Sequence, residues 1–208
     1  MANTTFKGTL RSEGGYSSIA TAASTGVETT QMYISSAGFT SLDANTQATE
    51  AGTGITGGTG TVYRSSVIRE GGIIKTSILI DLTGLRSTAN GYIIGVNGTS
   101  DVCHIGQITA ARNGTILAGR MTCFETPAGG DPDINVHSAT EGTGVEDGAI
   151  ADLTETLLVN SGDLSTGTVV TFTGVPAADE FLYLTLGATT DADYTAGKLL
   201  IELFGYEA

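Results

Sequence analysis

The chain has 208 residues, 40% of them hydrophobic, with a mean hydropathy of +0.13 and a formal net charge of −13. That composition supplies a core and excludes a disordered polypeptide, while the absence of any run of eighteen apolar residues excludes a membrane-spanning helix. The charge is segregated: residues 1–124 hold eight Lys/Arg and seven Asp/Glu, residues 125–208 hold Lys198 alone against fifteen Asp/Glu, a balance that repels a phosphate backbone and argues against nucleic acid as a partner.

The amino end, MANTTFKGTLRSEGG, has no apolar signal core, so a soluble protein without membrane contact or targeting segment is expected. Residues 1–60 are rich in Thr, Ser, Ala and Gly, with apolar islands at Phe6–Leu10, Val27–Ile34 and Phe39–Leu42. They read as edge strands or as an arm lying on a neighbour, separate from a main domain over 61–208. Within 51–61, Gly52-x-Gly54-x-x-Gly57 has the spacing of a dinucleotide fingerprint, but it lacks the preceding strand and following helix, so a flexible loop is expected.

Ile74–Leu82 is the first segment with a clear period of two, and the preceding Val62–Arg69 is rich in β-branched and aromatic residues. Ile74, Thr76, Ile78, Ile80 and Leu82 share one side of an extended chain. With Glu70-Gly71-Gly72 between them, the two segments predict an antiparallel hairpin, expected at the centre of its sheet. Tyr92–Val96 reads as a further strand. His104–Arg112 and Thr115–Phe124 flank Asn113-Gly114, the preferred dipeptide of a two-residue hairpin turn. That register places Cys103 and Cys123 on opposite faces, as free thiols. A long loop from Thr126 to Asp152 contains at most a short strand at Ile134–His137. Ala151–Val159, Thr168–Val175, Glu180–Gly187 and Lys198–Tyr206 complete the set. Eight to ten short strands and no long helix predict an all-β antiparallel sandwich, with a jelly roll as its specific form.

Catalytic constellations are sparse. His104 and His137 have no identifiable nucleophile or orienting partner and there is no Gly-x-Ser-x-Gly elbow, so no enzyme is expected. Asp131-Pro132-Asp133-Ile134-Asn135 begins like a calcium loop, then departs from it at Val136 and Gly142. A looser calcium site from Asp131, Asp133, Asn135 and Glu141 stands beside the simpler reading of a solvated acidic turn, and no other cofactor is expected. Arg64, Arg69, Lys75 and Arg86 are candidates for pairing with an acidic neighbour, or are the solvent face of the hairpin.

Four runs, Gly72–Leu82, Gly106–Ala111, Pro127–Ile134 and Tyr194–Tyr206, together resemble structural proteins of tailed bacteriophages. The resemblance spans Glu70 to Tyr206 and implies a virion component; its small acidic β-domain is most similar to capsid decoration (cement) proteins. It implies a homotrimer on the outside of the major capsid protein lattice, made in the host cytoplasm and carried in the virion, with no catalytic residues. The competing class is a tail-fibre or receptor-binding module for a host surface carbohydrate. The absence of tryptophan and the placement of the aromatic residues in predicted strands weigh against it.

Overall fold

The computed structural model describes residues 16–21, 28–34, 40–41, 49–70, 72–188 and 192–206. The chain divides into two units, Met1–Thr46 and Gln47–Ala208. In the first, β1 (Tyr16–Thr21), β2 (Glu28–Ile34) and β3 (Thr40–Ser41) form an antiparallel sheet in the order β1-β2-β3. The expected islands at Val27–Ile34 and Phe39–Leu42 coincide with β2 and β3, whereas Phe6–Leu10 lies outside the described residues.

The second unit begins well before residue 61. Gly52 and Gly54 donate backbone hydrogen bonds to His104 and Val102, the helical turn α1 (Thr53–Thr56) follows, and Ile55 is fully buried. The glycine run expected as a flexible loop is therefore a packed segment of this domain: its glycines let the backbone lie directly against residues 101–104.

Nine strands follow: β4 (Val62–Glu70), β5 (Ile73–Asp81), β6 (Gly106–Gln107), β7 (Thr115–Ala128), β8 (Ile134–Ala139), β9 (Glu155–Val159), β10 (Val169–Thr171), β11 (Phe181–Leu186) and β12 (Ala196–Tyr206). They make two antiparallel sheets packed together, of order β10-β7-β12-β5-β4 and β6-β11-β8-β9. The predicted β4–β5 hairpin is present, with Gly72 at φ +87° supplying the turn. It is not central, however. β4 is an edge strand, and the middle of the larger sheet is β12, which pairs along almost its whole length with both β5 and β7.

Alternation explains the larger sheet. Ile74, Thr76, Ile78 and Ile80 of β5 are buried, while Lys75, Ser77, Leu79 and Asp81 are partly exposed, so one face is core and the other is not. The core joins Ile78, Ile80, Met121, Leu199, Ile201 and Leu203 of this sheet to Ile134, Val136, Leu182, Leu184 and Leu186 of the other. The smaller sheet behaves differently: every residue from Leu182 to Leu186 is buried. Its outer face, with Tyr183, Phe181 and Ala139, is covered by Ile93, Cys103, Ile150 and Leu153 from irregular segments. Tyr92–Val96 is not a strand: Ile93 joins that cover while Ile94 and Val96 pack into the main core, and Tyr92, Ile93 and Gly95 bridge to Ala149, Thr185 and Arg86 in turn, so no ladder propagates.

The hairpin expected around Asn113-Gly114 does not form. Thr109 caps a helical turn, α2 (Ala110–Asn113), and the Asn113 side chain is buried at its end. Its Oδ1 accepts from Thr109 N at 2.9 Å and its Nδ2 donates to Thr76 Oγ1 at 2.8 Å. Gly114, at φ +68°, then turns the chain into β7 with its N–H bonded to the Ala110 carbonyl. The Asn-Gly pair is used as a helix terminus because its asparagine finds buried partners that a solvent-exposed turn cannot offer. In consequence β6 pairs with β11 and β7 with β12 and β10. Cys103 and Cys123 are both free and buried, one in the covering layer and one in the main core.

Candidate functional site

Directly opposed residues of an antiparallel pair share a face, so the registers assign the outer side of the five-stranded sheet residue by residue. Val62, Arg64, Ser66 and Ile68 of β4 lie opposite Asp81, Leu79, Ser77 and Lys75 of β5. Those in turn lie opposite Lys198, Leu200, Glu202 and Phe204 of β12. Beyond β12 come Glu125, Thr122, Arg120 and Ala118 of β7, then Val169 and Thr171 of β10. Within the second unit, nothing in the described residues covers this face as the irregular layer covers the other sheet. Val62, Ile68, Ile73, Phe124, Val169 and Tyr206 are each at least 38% exposed on it, as is Leu117 beside the irregularity in the β7–β12 ladder. These are seven of the nine large hydrophobic side chains exposed among the described residues. Single scattered exposed apolar residues are the norm, so their concentration on one face sets this side of the sheet apart as the candidate site.

A row of ion pairs crosses the middle of the face. Glu202, only 3% exposed, accepts from Arg120 Nε at 2.5 Å on one side and meets Lys75 Nζ at 2.5 Å on the other. Lys198 pairs with Glu125 and, at 3.4 Å, with Asp81. The guanidinium of Arg120 also lies 5.8 Å from the Phe204 ring centroid. The hydrogen bond from Arg120 holds the Glu202 carboxyl below its ordinary value, against the opposing effect of burial and with Lys75 assisting. A depressed carboxyl stabilises the fold above its unfolded value, and that contribution is lost as pH falls through the folded value. Glu202→Gln is thus expected to lower stability at neutral pH by about 1 kcal/mol. Urea titrations at neutral pH and at pH near 2 check this: the difference from the parent should vanish in acid.

The four basic residues singled out in the sequence do not act as one patch. Arg64 and Lys75 lie on this face, and Lys75 is engaged by Glu202. Arg69 donates to the Ala111 carbonyl at 2.8 Å, tying β4 to α2. Arg86 lies among irregular segments, within 3.8 Å of Glu146 and 4.0 Å of Asp193. Sequence reasoning missed Arg120, Glu202 and the rim residues Leu117, Phe124 and Val169. The signal available is the strand alternation of 118–124, but local sequence pairs that strand across Asn113-Gly114, whereas its partners are β12 and β10.

The acidic set is also divided. Asp131 and Asp133 precede β8 and Glu141 follows it; at about 3.3 Å per extended residue they stand roughly 25 Å apart, far beyond a shared ion. Glu141 accepts from Thr154 N and Oγ1 at 2.9 and 2.8 Å, and Asn135 Oδ1 accepts from Ser161 N at 3.0 Å. Burial raises the Asp133 carboxyl, with Asp131 and Asp163 adding to the shift. Among the described residues no group of three or more His, Cys, Asp or Glu could hold a metal ion; Asp131 Oδ1 accepts from Asp133 N at 3.0 Å, and the buried Asp133 Oδ1 has no hydrogen-bond partner. His137 Nδ1 lies 2.7 Å from Glu155 Oε2. His104 packs against Phe181 and Tyr183, and burial lowers its pKa.

The second unit is therefore an antiparallel β-sandwich with one sheet face covered and the other open, apolar and centrally ion-paired. No family model, curated protein or solved structure matches the chain. Among the described residues, no helix is long and apolar enough to cross a membrane.

Proposed function

We propose that the chain is a non-enzymatic structural protein of a tailed-phage virion, bound to the outside of the capsid shell as a decoration protein that stabilises it. The observation that carries this reading is the separation of charge by face. By register the open face holds Arg64, Lys75, Arg120 and Lys198 against Glu70, Asp81, Glu125 and Glu202, a neutral balance. Elsewhere in the second unit the described basic residues are Arg69, Arg86 and Arg112, against thirteen carboxylates. A near-neutral apolar side suits burial in an assembly, and an acidic side suits solvent. The strand order lends support: β5-β12-β7-β10 facing β6-β11-β8-β9 is the succession expected of a jelly roll, an architecture common in viral shells. Fold alone does not fix function, so the weight rests on the face and on the resemblance of the runs Gly72–Leu82 and Tyr194–Tyr206. In this reading the major capsid protein is the partner, residues 1–46 supply an attachment element, and the host cytoplasm is the site of synthesis.

Electron cryomicroscopy of the virion that encodes the chain tests the reading. Density for the sandwich on the icosahedral shell is the expected result. Density at the tail or a fibre tip would overturn it in favour of a receptor-binding module that uses the loops around Asp131–Asp147 to hold a host surface carbohydrate.

A further inference from the structure

The open face has a symmetry that points to what covers it. Its two apolar rims lie on opposite sides of the central strand β12: Val62, Ile68 and Ile73 on the β4–β5 side, and Leu117, Phe124 and Val169 on the β7–β10 side. Between them run the ion pairs of Glu202 and Lys198. A two-fold axis lying in the plane of the face, along the strands, lays the first rim of one copy on the second rim of another. The same operation sets the ion-paired row against itself.

We propose that this face is covered by a second copy of the chain, in a face-to-face two-fold pair. Charge is the first argument. Two molecules of net charge −13 repel one another, but by register this side carries four basic residues against four acidic ones in each copy, so the repulsion is least here. Every cation of the central row already has a carboxylate within 4 Å, so drying the row leaves no lone charge. Arg64, outside that row, lies on β4 at the edge of the sheet, where an interface rim stays wet.

Area is the second argument. Four strands about 4.8 Å apart, with about nine residues rising roughly 3.3 Å each, and the three-residue β10 beside them present roughly 600 Å² before side-chain relief. A specific interface of ordinary size takes about 800 Å² from each partner. Two such faces pack as the sheets of a sandwich do, their strands about 30° apart. An isologous contact of this kind closes at two copies. The pairing rests on the reading of this face as an assembly surface and adds the identity of its occupant; whether the assembly rides on a capsid is decided separately by the virion images.

Light scattering coupled to size-exclusion chromatography, with sedimentation equilibrium, tests the proposal on the full chain. The expected result is a species of twice 21.1 kDa at micromolar concentration. Leu117→Glu with Phe124→Glu should then weaken the pair on the order of 100-fold, giving monomer. Both side chains are more than half exposed, so the thermal midpoint and circular dichroism of the variant should match the parent and separate lost pairing from lost folding. Charge reversal of the off-face pair Asp152→Lys with Asp179→Lys should leave the mass at two copies. A monomer, the three-copy mass that the resemblance implies, or a dimer that survives the two glutamates would overturn the proposal. Failure here with shell density in the virion would mean that the face meets the capsid protein instead.

Discussion

Asn113→Ala is expected to lower the stability of the sandwich domain by about 2–4 kcal/mol, because it removes two side-chain hydrogen bonds and strands their partners in a dry site. The residue is fully buried, accepts from Thr109 N and donates to Thr76 Oγ1. Thr76 lies on the core face of β5, where a hydroxyl is costly unless paired. One side chain therefore closes α2 and also satisfies the core polar group of a neighbouring strand. Urea unfolding should show a lower midpoint with an unchanged slope. Asn113→Asp separates this arrangement from a hairpin turn: aspartate at a solvated Asn-Gly turn is nearly neutral, whereas here it loses the donor to Thr76 and buries a charge. A cost below about 0.5 kcal/mol for both variants would sink the account.

Ile201→Ala should cost about 3–4 kcal/mol. Ile201 is at the middle of β12, directly opposite Ile78 on one side and Met121 on the other, with no exposed surface. Truncation opens a cavity between two sheets that cannot close around it. Leu200→Ala removes a comparable side chain from the outer face, where the residue is partly exposed, and should cost less than about 1.5 kcal/mol. The comparison reads the orientation of the central strand in one experiment; equal costs would mean that both faces of the large sheet are core.

The two sites fare differently when traced back to the sequence. The strand at Ile74–Leu82 and the strand at Lys198–Tyr206 are legible because apolar residues alternate there for eight or more positions, and a slip of one residue would expose the whole set. Ile201 is thus a core residue on pattern alone. Asn113 is not, because Asn-Gly serves a hairpin or a helix end equally well, and the choice depends on Thr76, a residue 37 positions away. Thr109-Ala110-Ala111 carried a local hint, a capping residue before good helix formers. The charge asymmetry was visible as two halves of the chain, but its meaning by face was not: Glu125 and Glu202 come from the acidic half and sit among the cations of the neutral face.

Local period, turn residues and composition carry the all-β class, the hairpin at Val62–Asp81 and the inward sets of the strands at Ile74–Leu82 and Lys198–Tyr206. Tertiary structure alone decided that β12 is central, that one sheet is covered on both sides and the other open, that the acidic residues around Asp131 and Glu141 are far apart, and that Arg120, Glu202 and Lys75 form one row. Those outcomes depend on which strands pair. Pairing is settled by the mutual burial of residues distant in the chain, and local sequence carries no record of a partner it has not yet met.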